Sequence, residues 1–346
     1  MLEHERVSIS VGERSALPVI IAVHSTVLGR AVGGCRLWRY RNWRDGLEDA
    51  LRLSEAMTFK CALAGLRLGG GKSVIALAPD SELTPDRRRA AMLDLGDAVD
   101  AFGGSYGVGE DVGTTAEDML IARERTQYAY CLPAAQGGAG EPSEPTAYGV
   151  RDAIGVTLER ALGSSEVAGR RITVIGLGQV GSRVARSLAA DGAELLVSDI
   201  DPAKRALAEE LGAGWTDRPD DAFRADADLL VPAALGGLFT EASVADLRCA
   251  AIAGPANNQL ADDGVADALH GRGIVWAPDF VVNAGGVIYG NAMEMEGCGR
   301  DEAIARVGAV AGTLAAVFAA AEEHSITPLA AARRVAGERL EAASRR

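Results

Sequence analysis

Two lysines, Lys60 and Lys72, have the most distinctive chemistry among the side chains of this sequence. The chain has 35 basic residues, yet its only lysines are Lys60, Lys72 and Lys204. Arginine keeps its proton near neutral pH, whereas a lysine that is buried or lies beside another cation can lose it. Lysine retained in an arginine-rich chain therefore indicates a role in proton transfer, with chance retention as the alternative interpretation.

The segment that contains Lys72, LRLGGGKSVI, looks like a phosphate-binding loop but does not have its spacing. That loop needs a glycine five residues before the glycine that precedes the lysine. Gly71 precedes Lys72, so the first glycine would be residue 66, which is Leu66. The run at 73–77 predicts a strand after the lysine, where a phosphate loop would open a helix. Lys72 therefore needs another explanation.

A second glycine motif has both the spacing and the context of a dinucleotide site. Gly176, Gly178 and Gly181 form G-x-G-x-x-G after a predicted strand at 172–175 and before a predicted helix. The glycines allow a tight turn, close approach to a pyrophosphate and close helix packing, and the helix N-terminus favours an anion. Gln179 and Val180 stand between the glycines and belong to the same predicted cofactor site. A strand–helix turn without ligand is the alternative.

Asp199 is the predicted partner of the adenosine ribose. It ends the next predicted strand, 18 residues after Gly181. A carboxylate there accepts hydrogen bonds from the ribose hydroxyls and repels a 2′-phosphate, so NAD is favoured over NADP. Asp201 and Lys204 lie nearby and make this choice less sharp.

The composition indicates a globular protein and excludes several classes. The chain has 346 residues, 48% apolar residues and a formal net charge of -13. This charge argues against general binding to nucleic acid or anionic membranes. The sequence shows neither a long uninterrupted apolar run nor a signal-peptide pattern, which favours a cytoplasmic protein. The chain has an odd number of cysteines, and they are scattered along it, which predicts reduced thiols and no metal site. The cysteines are Cys35, Cys61, Cys131, Cys249 and Cys298.

The predicted elements indicate an α/β protein with two domains. Strands are expected at 17–24 and 73–77, and helices at 45–61, 85–101 and 146–162. From residue 172 onwards strands alternate with helices, which predicts a doubly wound parallel sheet. The glycine- and proline-rich stretch 134–145 is the expected linker, and residues 301–346 are expected to be helical.

Several motifs together resemble the glutamate/leucine/phenylalanine/valine dehydrogenase family. They are GGCRLW, LRLSEAMTFKCALAGLRLGGGKSVI, GEDVGTTAEDM, PTAYGV, GLGQVGS, AGPANNQL and APDFVVNAGG, in this order along nearly the whole chain. The resemblance implies NAD-dependent oxidative deamination, in which an L-amino acid and water become a 2-oxo acid and ammonium. It also implies a homo-oligomer formed through the first domain.

The resemblance carries roles to individual positions. Lys60 matches the lysine that pairs with the substrate α-carboxylate, with the backbone at Gly33 and Gly34. Lys72 matches the catalytic lysine and Asp111 the acidic residue of proton transfer. Further matches surround the nicotinamide and the substrate amine: Thr146, Asn257, Asn258 and Asn283.

Simple chemistry agrees with these roles. After hydride leaves Cα, water attacks an iminium, and a neutral lysine can deprotonate that water. Burial and the neighbouring charge of Lys60 would favour the neutral form of Lys72. Asp111 can carry protons to the departing amine. The alternative for Asp111 is turn capping, because aspartate caps turns readily.

The side-chain pocket points to an apolar substrate. By resemblance it includes Val32, Gly109, Val287 and Gly290. Relatives acting on branched aliphatic substrates carry larger residues at positions 109 and 290, so the glycines predict room for an aromatic side chain. Phenylalanine is favoured, tryptophan is possible, and leucine or valine is the alternative. The segment VIYGNAMEMEG departs from the family pattern, which leaves side-chain specificity open.

The expected architecture has two domains around a cleft. Residues 1–135 form a smaller mixed-sheet α/β domain for substrate binding and oligomerisation, joined by C-terminal helices at 311–346. Residues 136–310 form a Rossmann domain for NAD. Two other functions share these features: an NAD-dependent reductase of 2-oxo or imino acids, and an NAD-bound regulatory protein without turnover.

Overall fold

The computed structural model describes residues 4–234 and 236–345, which divide into two compact units. The first unit comprises residues 4–141, 290–300 and 336–345, and the second comprises residues 142–289 and 301–335. The α/β fold class predicted from the sequence is confirmed, with one mixed sheet and one parallel sheet.

The first unit is built on a mixed sheet with five strands among the described residues, in the order β1-β2-β4-β3-β5. β1 pairs antiparallel with β2 and β2 with β4, whereas β3 pairs parallel with both β4 and β5. The strands are β1 (Arg6–Val11), β2 (Pro18–Ser25), β3 (Ala31–Arg39), β4 (Gly69–Leu77) and β5 (Tyr106–Glu110). The helices are α1 (Trp43–Leu63), α2 (Pro85–Asp100) and α3 (Ala116–Arg123).

Both faces of this sheet are covered, because alternate residues of a strand point to opposite faces. Val19, Ile21 and Ile75 face a core that includes Met92 and Leu95 of α2. The residues between them face α1, which contributes Ala50; they are Ile20, Ala22, Val74 and Ala76. α1 packs mainly on β2 and β4 and only lightly on β3. On the face of the sheet that α1 covers over β2 and β4, α1 therefore leaves β3 and β5 largely uncovered.

Helix α1 begins earlier than the sequence predicted. Asn42 is the N-cap residue, and its side chain accepts a hydrogen bond from the Arg44 backbone while Asp45 completes a capping box. The expected helix start at residue 45 is therefore wrong: Asp45 is the third helical residue, because Asn42 supplies the acceptor that the first turn needs.

The second unit has a parallel sheet of six strands among the described residues, in the order β11-β10-β9-β6-β7-β8. The strand order reverses between β6 and β9, as in doubly wound sheets that bind dinucleotides. The strands are β6 (Arg171–Ile175), β7 (Glu194–Ser198), β8 (Gly214–Trp215), β9 (Ala227–Pro232), β10 (Cys249–Ile252) and β11 (Val275–Trp276). The helices are α4 (Ser143–Leu162), α5 (Gln179–Ala190), α6 (Arg205–Glu210), α7 (Pro219–Phe223), α8 (Glu241–Val244), α9 (Gly264–Gly271), α10 (Asp279–Val282), α11 (Gly285–Gly290), α12 (Arg300–Val307), α13 (Ala309–His324) and α14 (Pro328–Ser344).

The C-terminal helices do not follow the expected domain boundary at residue 311. Residues 301–335 cluster with the second unit, because α13 packs on α4. Gly149 of α4 leaves the room for this contact: a Cβ there would lie 3.3 Å from Val307 and from Val310. Residues 336–345 cluster with the first unit, where the Arg339 guanidinium donates to the Ala62 carbonyl at 2.6 Å.

The segment Arg300–His324 is long and apolar enough, by length and composition alone, to cross a membrane. Its most apolar window has a mean hydropathy of 1.8, and 33% of that window is buried. Val310, Leu314 and Val317 are among its buried residues. A core helix of a soluble protein passes the same test of length and composition.

Candidate active site

The glycine run before Lys72 is explained by packing. A Cβ on Gly70 would overlap the backbone nitrogen and hydroxyl of Thr58 on α1, and a Cβ on Gly71 would lie 2.6 Å from the Tyr106 ring. The glycines therefore let α1 and β5 approach β4 closely. This approach buries the strand that carries Lys72, and the residue itself is 5% exposed.

Lys72 forms an ion pair with Asp111, and the two atoms Nζ and Oδ2 are 2.8 Å apart. Lys72 lies in β4, and Asp111 directly follows β5, so the pair joins two strands across β3. Register places Lys72 opposite Ala22, on the face that α1 covers over β2 and β4. The side chains are 7% and 18% exposed. The structure thus brings together the two residues that the sequence assigned to proton transfer.

Gly33 and Gly34 give this pair its space. β3 and β4 pair at Val32↔Gly70 and again at Cys35↔Ser73, and the described residues show no pair between these two. A Cβ on Gly34 would lie 2.7 Å from the Asp111 Cβ, so a side chain there would displace the carboxylate. The interruption lies beside the Lys72–Asp111 pair. The backbone of Gly33 and Gly34, which the sequence analysis assigned to binding the substrate carboxylate, lies within it.

The carboxyl of Asp111 is held in its charged form. Burial raises its pKa, but the charges of Lys72 and Arg36 outweigh this effect and bring the pKa below its usual range. The loop is fixed by Thr114, whose hydroxyl accepts from the Asp111 backbone nitrogen at 2.9 Å and donates to the Cys35 carbonyl at 2.8 Å. In these contacts the Thr114 hydroxyl fixes the turn, whereas the Asp111 carboxylate forms the ion pair with Lys72.

Lys60 lies in the last turn of α1. It follows Thr58 by two residues, and Thr58 is the residue that contacts β4 at Gly70. This end of α1 is therefore the end nearest to the interruption of the β3–β4 ladder. The predicted contact of Lys60 with a substrate carboxylate stays a prediction.

The two pocket glycines differ in the space around them. A Cβ on Gly290 would have no atom within 4 Å, whereas a Cβ on Gly109 would lie 2.8 Å from the Cys131 Sγ. The volume that the sequence analysis assigned to substrate at Gly109 is therefore taken by Cys131. Val32 is 6% exposed and lies in β3, opposite Gly107 of β5.

Glu294 fixes the loop that carries Cys131. Its carboxylate accepts hydrogen bonds from the backbone nitrogens of Cys131, at 2.8 Å, and Ala139, at 2.6 Å. Burial raises the pKa of Glu294, and the two backbone donors oppose that rise. The residue lies in the π-helical turn Asn291–Met295, within the segment that departs from the family pattern. Sequence reasoning missed both Cys131 and Glu294, and the unusual segment was the one signal for them.

The dinucleotide loop has the predicted geometry. Gly176 has φ +100, and a Cβ there would lie 2.7 Å from the backbone of Ala233 after β9. A Cβ on Gly181 would overlap the Gly176 carbonyl, whereas a Cβ on Gly178 would have no atom of the described residues within 4 Å. Gly178 caps α5 without a side-chain hydrogen bond, so the first-turn N–H groups keep their capacity for an anion. These features fit a pyrophosphate at this helix end, including the backbone of Gln179 and Val180.

Asp199 follows β7 and is fixed by backbone donors. Its Oδ2 accepts from the Leu177 nitrogen at 2.6 Å, and its Oδ1 accepts from the Asp201 nitrogen at 2.9 Å. Each carboxylate oxygen has a second acceptor site, so ribose hydroxyls can still bind. Ile200, beside it, is 88% exposed.

We expect Asp199→Asn to narrow the preference for NAD over NADP by about tenfold, because the amide no longer repels a 2′-phosphate and accepts hydrogen bonds less strongly. The ratio of kcat/KM for the two cofactors measures this change. Asp228→Asn is the matched control: its carboxylate also accepts from a backbone nitrogen of the second unit, that of Arg171, at 2.9 Å. An unchanged ratio in Asp199→Asn would remove Asp199 from cofactor selection.

Asn283 presents a buried acceptor without a partner. Its amide nitrogen donates to the Asn257 side chain at 2.7 Å and to the Pro255 carbonyl at 3.1 Å. Its Oδ1 is buried and has no hydrogen-bond partner in the part of the chain that the structure describes. Such an atom calls for a ligand donor, as the carboxamide of nicotinamide or an amine would supply. Asn258, the next residue after Asn257, has φ +52.

Thr146 lies beside the same segment of the second unit. A Cβ on Gly286 would lie 2.7 Å from the Thr146 hydroxyl, which donates to the Pro142 carbonyl at 2.7 Å. The structure therefore brings PTAYGV and the NAGG motif together. Val287 lies one residue further along, in α11.

The doubly wound sheet with its pyrophosphate loop in the second unit, and the buried lysine–aspartate pair in the first unit, are the features of a dinucleotide-dependent oxidoreductase. Residues 4–128 match the family model described as "Glu/Leu/Phe/Val dehydrogenase, dimerisation domain". Residues 198–346 match "Glutamate/Leucine/Phenylalanine/Valine dehydrogenase", and residues 150–235 match the NAD-binding domain of D-isomer specific 2-hydroxyacid dehydrogenases.

Relatives resemble the chain over nearly its whole length. It is 40% identical to leucine dehydrogenase of Geobacillus stearothermophilus, over 98% of this chain and 91% of the relative. It is 38% identical to phenylalanine dehydrogenase of Lysinibacillus sphaericus, over 98% and 89%. The crystal structure of L-tryptophan dehydrogenase from Nostoc punctiforme matches with a TM-score of 0.83 and 34% identity, over 100% of this chain and 98% of that one.

This chain therefore belongs to the glutamate/leucine/phenylalanine/valine dehydrogenase family. It is an amino-acid dehydrogenase, an oxidoreductase that acts on CH–NH2 groups with NAD as its cofactor. The family predicted from the motifs is confirmed, as is NAD.

Proposed function

We propose that this enzyme converts an apolar, preferentially aromatic, L-amino acid to its 2-oxo acid and ammonium, with L-phenylalanine as the best substrate. The observation that carries the chemistry is the buried contact between Lys72 Nζ and Asp111 Oδ2, at 2.8 Å, beside the interrupted β3–β4 ladder. The reaction consumes one water and one NAD+ and yields NADH and a proton.

The first unit binds and activates the substrate in this proposal. Lys60 pairs with the α-carboxylate, and the backbone at Gly33 and Gly34 donates to it where the pairing of β3 with β4 is interrupted. Bound NAD+ supplies the acceptor for the Cα hydride. Lys72 takes a proton from water as the water oxygen attacks the iminium carbon. Asp111, ionised at rest, then receives a proton from Lys72 and delivers it to the leaving amine. The 2.8 Å contact allows a proton to pass directly between the two side chains.

The second unit orients the cofactor in this proposal. The pyrophosphate binds at the start of α5, and Asp199 binds the adenosine ribose. The free Oδ1 of Asn283 accepts a hydrogen bond from the nicotinamide carboxamide or from the substrate amine. Thr146 and Asn257 belong to the nicotinamide side of this site, and Asn258 to the amine side.

The choice of an aromatic side chain rests on Gly290, where a Cβ would have no atom within 4 Å in the part of the chain that the structure describes. Similarity to a phenylalanine dehydrogenase and an L-tryptophan dehydrogenase supports it. A second candidate, leucine, is favoured by one observation: Cys131 fills the space at Gly109, and a smaller pocket suits an aliphatic side chain. Val32 and Val287 are the other proposed apolar contacts.

The test is NADH formation from a panel of L-amino acids: phenylalanine, tryptophan, leucine, valine and glutamate. We expect kcat/KM to be highest for phenylalanine, and Gly290→Val to lower the phenylalanine-to-leucine ratio by about 10- to 100-fold, because added methyl groups cost ~1–3 kcal/mol in such a pocket. Gly312→Val, at another open helical position, is the control for adding valine to a helix. A wild-type preference for leucine would make this enzyme a leucine dehydrogenase instead.

The reverse reaction separates the remaining functions. NADH oxidation with a 2-oxo acid should require ammonium; oxidation without it would indicate a reductase of 2-oxo acids. Cofactor binding without any turnover would indicate a regulatory protein. We further propose a soluble, cytoplasmic homo-oligomer, supported by the match of residues 4–128 to a dimerisation domain and by the fold shared with a hetero-hexameric glutamate dehydrogenase from Thermus thermophilus (TM-score 0.82, 23% identity).

A further inference from the structure

Asp111 has a second cationic partner besides Lys72. The Arg36 guanidinium Nε lies 3.2 Å from Asp111 Oδ2, the same oxygen that Lys72 contacts. Arg36 lies in β3, between the strand of Lys72 and the strand that leads to Asp111. Two cations from two strands therefore converge on one carboxylate oxygen.

Arg36 is itself held from its other side. Its NH1 group lies 3.0 Å from Asp49 Oδ2 on α1, and the Tyr40 hydroxyl donates to that oxygen at 2.8 Å. Arg52 contacts the other oxygen of Asp49 at 2.9 Å. The Arg36 and Asp49 side chains are 16% and 23% exposed. The guanidinium thus spans two carboxylates in a fixed orientation.

The charges in this chain of contacts are stable. Burial raises the pKa of Asp49, but hydrogen bonds from Arg52 and Tyr40 and the charge of Arg36 bring it below its usual range. Cys35 and Tyr106 also interact electrostatically with Asp111, and burial keeps both neutral: it raises the pKa of Cys35 to about 12 and raises the pKa of Tyr106.

This arrangement matters when Lys72 acts as a base. A neutral Lys72 no longer stabilises the Asp111 carboxylate, whereas arginine remains charged at every working pH. We propose that Arg36, oriented by Asp49, is a positioning residue that holds the Asp111 carboxylate in place and favours its return to the ionised form while Lys72 gives up and regains its proton. This inference rests on the proposed function of the Lys72–Asp111 pair.

The test is the pH dependence of kcat/KM in Arg36→Gln. Removing the fixed cation leaves Lys72 as the sole cationic partner that we assign to Asp111, so the lysine holds its proton more strongly. The pH at which kcat/KM reaches half of its maximum should then rise by about one pH unit. At pH values below this midpoint, kcat/KM of the variant should be at least tenfold lower than that of the wild-type enzyme. Arg36→Lys keeps the charge and should restore the midpoint, with a lower kcat because lysine cannot span both carboxylates.

The matched control is Arg14→Gln, because Arg14 also bridges two carboxylates of the first unit, Asp94 at 2.9 Å and Asp97 at 2.7 Å. This variant should keep the wild-type midpoint. A wild-type midpoint in Arg36→Gln overturns the proposal. If Arg36→Gln does not fold, an unchanged kcat in Arg36→Lys overturns it equally. Wild-type enzyme that is inactive with every L-amino acid would instead refute the proposed function.

Discussion

Replacing Lys72 with arginine should reduce kcat at least ~10³-fold while NAD binding persists. Arginine keeps the positive charge beside Asp111 but does not release its proton near neutral pH. Lys72 is buried and its Nζ lies 2.8 Å from Asp111 Oδ2. An arginine at this position can therefore still form an ion pair with the Asp111 carboxylate. Turnover kinetics and calorimetric titration with NAD separate loss of chemistry from loss of fold.

Lys204→Arg is the matched control. Lys204 ends the 3-10 turn Pro202–Lys204 in the second unit and has no proposed role in proton transfer. It should keep near-normal kcat. A Lys72→Arg enzyme whose kcat lies within tenfold of wild type would show that no proton transfer passes through this amine. The proposed mechanism would then lose its base, although family membership would stand.

The cofactor half of the site could be predicted from the sequence because its determinants are local. Three glycines, the strand before them and Asp199 lie within one strand–helix–strand unit, whose geometry follows from backbone sterics. The structure places a positive φ at Gly176 and an open position at Gly178, as that prediction requires.

The Lys72–Asp111 contact depends on pairings that spacing does not reveal. It requires β5, which the sequence analysis did not predict because its residues YGVGE include two glycines and no alternating pattern. β5 forms by pairing with β3, 75 positions away at Cys35↔Glu110. Motif resemblance supplied both residues, and only the sheet order explains how they meet.

β1 was also missed, although its alternation of Val7, Ile9 and Val11 with polar residues is a recognisable strand signal.

Arg36, Asp49 and Cys131 were missed for a different reason. Each acts through a contact between separate elements, so its role depends on the packing of α1 or the loop after α3 against the sheet.

Gly33→Ala should destabilise the enzyme by ~3 kcal/mol or more, which lowers the thermal unfolding midpoint by roughly 6–12 °C. A Cβ at this position would overlap the Gly71 carbonyl and lie 3.2 Å from the Lys72 Cα. Both neighbours are backbone of β4, so the clash cannot be relieved by rotating a side chain. β3 and β4 would have to separate beside Lys72, which should lower kcat as well. Thermal unfolding at fixed protein concentration measures the first effect.

Gly312→Ala is the control for a glycine-to-alanine change. Gly312 lies in α13, and a Cβ there would have no atom within 4 Å. Alanine is the better helix former, so this variant should be more stable by about 0.5–1 kcal/mol. If Gly33→Ala unfolds at the wild-type temperature, β3 and β4 do not approach as closely as the structure shows. The absence of a side chain at Gly33 would then not explain the space for the Asp111 carboxylate beside Lys72.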